Sequence, residues 1–234
     1  MEPTGQSAVI IFSGGPAPDG EVVRGLLGRP CAWTVIAADE GVDHALAVGF
    51  TPDVAIGDFD SVSRAGLKAV ESHGAEVRSH PRDKDATDLE LALELALPLA
   101  GGGDLVVVGS AIGRFDHLAA QVSLLASPEW STATLTAHLG QAVLQPVHAG
   151  RPACLRGRPG TIVSLLPIGG RASGVTTTGL RFTLTQEELV PWSTRGVSNE
   201  FVDHHAEVAV GEGVIMSIIP AQATAPVIED KEQS

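Results

Sequence analysis

Tyrosine is absent from the 234-residue chain, and aromatic residues make up only 4% of it. A folded core must therefore be aliphatic, and at 44% hydrophobic residues there is enough material to build one. Cysteine is nearly absent as well. Cys31 and Cys154 stand far apart, which gives neither a disulfide framework nor a zinc-ligand spacing, so two buried, reduced thiols are expected. Positive charge is scarce: 15 Lys and Arg against 28 Asp and Glu leave a formal net charge of −13. A nucleic-acid or anionic-membrane partner requires a basic face, so both are excluded as partners. No apolar run reaches the roughly 18 residues needed to span a bilayer. Residues 1–7 have neither a charged n-region nor a long apolar stretch, so no signal peptide is expected and the expected location is cytoplasmic. The common phosphate-binding and nucleophile motifs (G-x-x-x-x-G-K-[ST], G-x-G-x-x-G and G-x-S-x-G) are missing too.

What is present divides the chain into two textures. In the first, short β-rich runs alternate with helical patterns. Buried strands are expected at Ala8–Phe12, Trp33–Ala38, 54–56, 105–108 and 134–137. The clearest helix covers 88–96, where Leu89, Ala92, Leu93 and Ala96 fall at i, i+3, i+4 and i+7, and Thr87 with Glu90 fits a capping box. Leu118, Val122 and Leu125 mark another helix after Asp116. Alternation of this kind predicts an α/β domain over residues 1–140 with a mostly parallel sheet, helices on both faces. From residue 141 to 220 the β-prone runs 142–147, 161–166, 206–210 and Val214–Ile219 are separated by Gly and Pro, with at most a helical turn near 186–189. This predicts an antiparallel all-β domain, a sandwich or small barrel. Residues 221–234 are polar and rich in Ala and Pro and are expected to be disordered.

Acidic residues sit at the ends of the predicted strands. Asp39 follows the second, Asp58 and Asp60 the third, and Arg114, Asp116 and His117 the fourth. Open α/β sheets bind ligands beyond the carboxyl ends of their strands. In Gly57-Asp58-Phe59-Asp60-Ser61 an extended backbone would aim Asp58 and Asp60 to one side, making a hard oxygen site suited to Mg²⁺ that also takes phosphate ligands. Gly57 leaves room for a close approach. A solvated turn is the plainer reading of the same residues. Lys84-Asp85-Ala86-Thr87-Asp88 opens the long helix, where free N–H groups, Lys84 and the Thr87 hydroxyl suit a phosphate, although capping alone accounts for Thr87 and Asp88. Arg114, in Gly113-Arg114-Phe115-Asp116-His117, could clamp a phosphate oxygen, with Asp116 capping the helix, orienting Arg114 or meeting the metal. His204-His205 reads as surface histidine.

In order along the chain, Asp39-Glu40-Gly41, residues 52–61, Lys84-Asp85-Ala86-Thr87-Asp88 and 113–117 resemble thiamine pyrophosphokinase. Residues 163–167, 176–182 and Val197-Ser198-Asn199-Glu200 resemble that family's β-domain motifs. The resemblance implies that ATP and thiamine give AMP and thiamine diphosphate, and that a Rossmann-like, three-layer α/β domain is joined to a C-terminal β-sandwich in a homodimer. It further implies Mg²⁺ and phosphates on Asp58, Asp60 and Asp88, support from Asp39, and Arg114 and Asp116 lining the site. Gly57, Lys84, Thr87 and Gly113 fall to the nucleotide, Phe182 stacks on the thiamine rings, and Ser198 and Asn199 lie near the vitamin. No single general base is implied; Asp116 and Asp88 are candidates. The chain departs from the family pattern at Glu40, where Gly is usual, at Ile112, where Gly is frequent, and at Gln121, where Asn is common. These departures bear on the nucleotide pocket and leave the metal acids intact.

Rival readings share part of this pattern. A pyrophosphokinase for another alcohol, such as a pterin, would differ around Phe182 and Ser198. A metal-dependent sugar-nucleotide transferase would use Asp58-Phe59-Asp60 as an Asp-x-Asp site, without accounting for the motifs at 84–88 and 113–117. A non-catalytic nucleotide sensor would have little use for so many acids.

Overall fold

The computed structural model describes residues 8–27 and 31–220; the expectations for residues 1–7 and for the tail 221–234 lie outside the described residues. Strands β1 (Ala8–Phe12), β2 (Trp33–Ala38), β3 (Val54–Gly57), β4 (Glu76–Ser79), β5 (Asp104–Gly109) and β6 (Thr134–Leu139) alternate with helices α1 (Gly20–Leu27), α2 (Gly41–Ala47), α3 (Arg64–His73), α4 (Asp88–Ala100) and α5 (Phe115–Leu125). All six strands are parallel, in the order β4-β3-β2-β1-β5-β6. The chain winds outward from β1 to β4 and then returns to β5 on the other side of β1. The switch point between β1 and β5 splays the following loops apart and opens a crevice at the carboxyl edge.

Side-chain alternation along β1 decides which helices cover which face. Val9 and Ile11 pack with Leu93 and Ala96 of α4 and Leu125 of α5. Ile10 and Phe12 pack with Val23 and Leu26 of α1 and Ala45 of α2. Each fully buried Ile or Leu of this kind is worth about 1.5–3 kcal/mol. The core is largely aliphatic as the composition demands; Trp130 and Phe201 are buried as well, and Phe12 packs against Phe50 with ring centroids 5.2 Å apart. The Thr87 hydroxyl accepts from the Glu90 N–H at 3.2 Å, fixing the start of α4. The helix runs past 96 to Ala100 with Pro98 in its last turn, and Gly101, at φ 55°, closes it in the left-handed region.

The remaining strands are β7 (Ala142–His148), β8 (Ala153–Arg156), β9 (Ile162–Pro167), β10 (Ala172–Thr178), β11 (Glu187–Leu189), β12 (Asn199–Glu200), β13 (His205–Ala209) and β14 (Val214–Ile219). The large sheet does not stop at residue 140. It continues antiparallel through β7, β14, β9 and β12 to ten strands, while β11-β10-β13-β8 form a second sheet of four. Val147, Leu165 and Ile215 from the large sheet share one core with Leu155, Val175 and Val208 from the small one. The mostly parallel sheet joined to a second sheet is thus observed.

Three local expectations are corrected. Residues 187–189 are a strand edge on β10 instead of a helical turn. Both cysteines are exposed rather than buried: in β8, Ala153 and Leu155 face inward, so strand alternation turns Cys154 outward. Strand β4 carried no hydrophobic signal, because all four of its residues are exposed at the sheet edge.

His148 is buried at the end of β7, and neither ring nitrogen has a hydrogen-bond partner. Burial, with the nearby Arg151, holds its pKa below the ordinary value of 6.5. The unfolded chain therefore binds a proton at a pH where the folded chain does not. Stability present above pH 6.5 is expected to fall as the pH drops below that value. Urea unfolding at a series of pH values should show this slope, and His148→Phe should flatten it.

Candidate active site

Four loops at the carboxyl edge and the outer face of α5 enclose a cleft of about 590 Å³. It is lined by Ser13, Gly14 and Gly15 after β1, Asp39 and Glu40 after β2, and Asp58 and Ser61 after β3. Arg82, Lys84, Thr87 and Asp88 come from the approach to α4, and His117 and Gln121 from α5. The cleft lies at the switch point, where the strand order places a ligand crevice.

Asp39, Asp58 and Asp60 bring carboxylate oxygens within 4.8 Å of one another. The reason differs from the sequence argument. The backbone from 58 to 60 is not extended. Phe59 takes φ 60° and the Asp60 N–H bonds to Asp58 Oδ1 at 3.2 Å, so a left-handed turn, not strand period, gathers the two acids. Asp39 is also left-handed, at φ 49°, and its N–H bonds to the Ile56 carbonyl at 2.9 Å, which draws the end of β2 over that of β3. Gly57, at φ 149°, permits this approach. A Cβ there would sit 3.3 Å from the Asp39 nitrogen and 3.2 Å from Asp88 Oδ1.

Asp88 adjoins this trio with its own countercharge: Lys84 Nζ donates to Asp88 Oδ1 at 2.6 Å. Arg82 lies 3.3 Å from Asp60. Among the described residues Asp39 has no cationic partner. Its Oδ1 is buried without a hydrogen-bond partner, and burial, together with the charges of Asp88, Asp58 and Asp60, raises its pKa. Three gathered carboxylates, one of them with an orphaned buried oxygen, make the donor set a hard divalent cation needs, so these residues fit Mg²⁺.

The other expected residues lie elsewhere. Arg114 and Asp116 are exposed on the rim and paired with each other, Nη2 to Oδ2 at 2.6 Å and Nε to Oδ1 at 3.2 Å; this pairing holds Asp116 at a pKa of about 2. Neither they nor Gly113 line the cleft. Phe182, Ser198 and Asn199 belong to the β-rich half and do not line it either. The Phe182 ring is 60% exposed and so is not a core residue. The sequence reading did not single out Arg82 or the Ser13-Gly14-Gly15 turn as site residues. The available signals were a basic residue among acids and a glycine pair directly after a buried strand.

Like charges held together without a cation weaken the fold that holds them. In EDTA, Asp39→Asn is expected to raise the thermal midpoint by about 2–4 °C for a chain of this size. A lower midpoint in a scanning-calorimetry comparison would contradict the repulsion argument.

Comparison with known proteins bears on the family and the fold. A family model described as thiamin pyrophosphokinase, catalytic domain, matches residues 30–136. A second, described as thiamin pyrophosphokinase, vitamin B1 binding domain, matches residues 154–215. The thiamine pyrophosphokinase of Bacillus subtilis is 26% identical over 212 residues, covering 89% of this chain and 96% of that protein. The crystal structure of thiamin pyrophosphokinase from Geobacillus thermodenitrificans superposes with a TM-score of 0.76 at 26% identity, covering 93% of this chain and 99% of that one. The Bacillus subtilis structure superposes at 0.78 with 23% identity, over 93% of this chain and all of that one, and shares the fold. With both domain models matched in the same order as its two halves, the chain belongs to the thiamine pyrophosphokinase family.

Proposed function

We propose that the chain transfers a diphosphoryl group from ATP to the hydroxyl of thiamine, in the cytoplasm and as a homodimer. The observation that carries this reading is the convergence of Asp39, Asp58 and Asp60 beside the Lys84–Asp88 pair, in a cleft at the switch point of a family fold. The parallel domain is read as a three-layer, Rossmann-like nucleotide domain over residues 1–140, and the β-rich half, 141–220, as a sandwich that takes thiamine. Among the described residues no helix is long and apolar enough to cross a membrane.

In this proposal Mg²⁺ is held by Asp58, Asp60 and Asp88, with Asp39 as a further carboxylate at the floor. When bound, the ion offsets phosphate charge, which is how a protein of net charge −13 takes a polyanion. The residues of the chain then have separate tasks. Lys84, which pairs with Asp88 at 2.6 Å in the free protein, would be available to a phosphate oxygen where a cation held Asp88. Thr87 and the first N–H groups of α4 offer donors to the same polyphosphate. Arg82 adds charge at the rim. Gly57 keeps the acids close, and Gly113 leaves the α5 approach open for Arg114, which Asp116 orients. The substrate hydroxyl forms a bond to the β-phosphorus while the bond to the α-phosphate bridging oxygen breaks and AMP leaves. Such transition states are loose, so positioning and charge dominate over a strong base. A carboxylate with a pKa near 2 accepts protons poorly, which counts against Asp116 as the base.

Two exposed surfaces support the dimer. Ile112 and Phe115 are 79% and 81% exposed beside the cleft, and Phe182 is exposed on the β-rich half. Both surfaces stay largely exposed among the described residues, and an acceptor site assembled between two copies would use both.

Incubation of the purified protein with Mg²⁺, ATP and thiamine is expected to give AMP and thiamine diphosphate in equal amounts, with both lost in EDTA. AMP without thiamine diphosphate would keep the metal–nucleotide site and reject the acceptor. In the same assay Asp60→Ala should lower kcat by about 10²–10³-fold while the protein stays folded. Near-normal turnover would remove Asp60 from the metal site.

A further inference from the structure

Phe182 is 60% exposed, so packing does little to set the direction of its ring. Its backbone is another matter. Asn199, only 5% exposed, accepts the Phe182 N–H on Oδ1 at 3.0 Å and donates from Nδ2 to the Phe182 carbonyl at 2.8 Å. The same Oδ1 accepts the Glu200 N–H at 2.9 Å. Both polar groups of the Phe182 backbone thus end on one buried amide, and both lone pairs of that oxygen are used. Asn199 is itself placed firmly. It pairs with Val163 across β12 and β9, and the preceding Ser198 takes a left-handed φ of 58° to turn it inward. A non-glycine residue holds such a φ only where its surroundings fix it.

The face of the ring already carries a cation. The Arg181 guanidinium lies 5.7 Å from the Phe182 ring centroid, with its charge met by Glu200 at 3.1 Å. A ring that accepts a guanidinium on its face suits another flat cation.

We propose that Asn199 is a positioning residue for Phe182: its buried amide fixes the backbone that aims the ring on which a flat, cationic acceptor stacks. This rests on the reading of Phe182 as the thiamine-stacking residue. It differs from a direct substrate contact by Asn199, whose amide oxygen has no remaining lone pair to offer. Phe182 supplies the surface, and Asn199 acts only through it.

The test is a double-mutant cycle on the full chain, with KM for thiamine and KM for ATP measured for wild type, Phe182→Ala, Asn199→Ala and the double variant. Each single substitution is expected to raise KM for thiamine by about tenfold, between the values of an exposed and a desolvated cation–π contact. KM for ATP should not follow. The double variant should be no worse than Phe182→Ala alone, because without the ring there is nothing left for Asn199 to position. Multiplying effects in the double variant would overturn the proposal while leaving Phe182 in its role, since Asn199 would then act on the acceptor independently. An unchanged thiamine KM in Asn199→Ala would overturn it as well. An unchanged thiamine KM in Phe182→Ala would overturn the stacking reading, and the proposal with it. Should Asn199→Ala fail to fold, Asn199→Asp, which keeps both accepted bonds and loses the donated one, takes its place in the cycle with the same outcomes.

Discussion

Mutual repulsion among carboxylates at one edge of a parallel sheet is the constraint around which the rest is arranged. Asp39, Asp58 and Asp60 converge, and Asp88 stands beside them. Two of the four have a basic neighbour in the free protein, Lys84 for Asp88 and Arg82 for Asp60. Asp39, with a buried oxygen left unpartnered, does not. Holding such a cluster requires backbone conformations that ordinary turns avoid, and left-handed Asp39 and Phe59 on either side of Gly57 supply them. The cost is carried by the aliphatic core beneath, in which strands β1, β2, β3 and β5 are buried almost throughout.

On the proposed reading the two halves divide the chemistry. The parallel half gathers charge, which suits a metal-bound polyphosphate. The β-rich half presents an exposed aromatic ring backed by a buried amide, which suits a flat cation. They are not separate bodies joined by a linker, since β7 and β14 continue the sheet of β6 without a break. The relation between the two sites therefore depends on sheet geometry, and a hydrogen-bonded sheet is stiff.

Much of this was legible in the sequence, for physical reasons that vary by element. Continuous aliphatic runs announced β1, β2 and β5, because a strand buried on both faces needs no alternation. Thr87 and Glu90 announced the start of α4, because capping is local. Strand β4 was invisible, because an exposed edge strand has no hydrophobic pattern to show. The continuity of the large sheet past residue 140 was invisible too, since strand pairing is a long-range choice that local composition does not record. At the site, the residue types were legible and their geometry was not. Asp58 and Asp60 do come together, but through a left-handed Phe59, a conformation no propensity argument assigns to phenylalanine. Asp39 was placed in support, yet it is the acid with the orphaned oxygen. Arg82 gave no motif at all, because an exposed ion pair leaves no spacing rule.

The central claim is that these carboxylates are held together for a divalent cation. Mn²⁺ in place of Mg²⁺, followed by electron paramagnetic resonance in the presence of a non-hydrolysable ATP analogue, tests it most directly. The account predicts one saturable, protein-dependent Mn²⁺ signal that is lost when Asp58 and Asp60 are both replaced by Asn in a folded protein. Mn²⁺ binding that survives this replacement would place the metal elsewhere and leave the convergence of the three acids without a purpose.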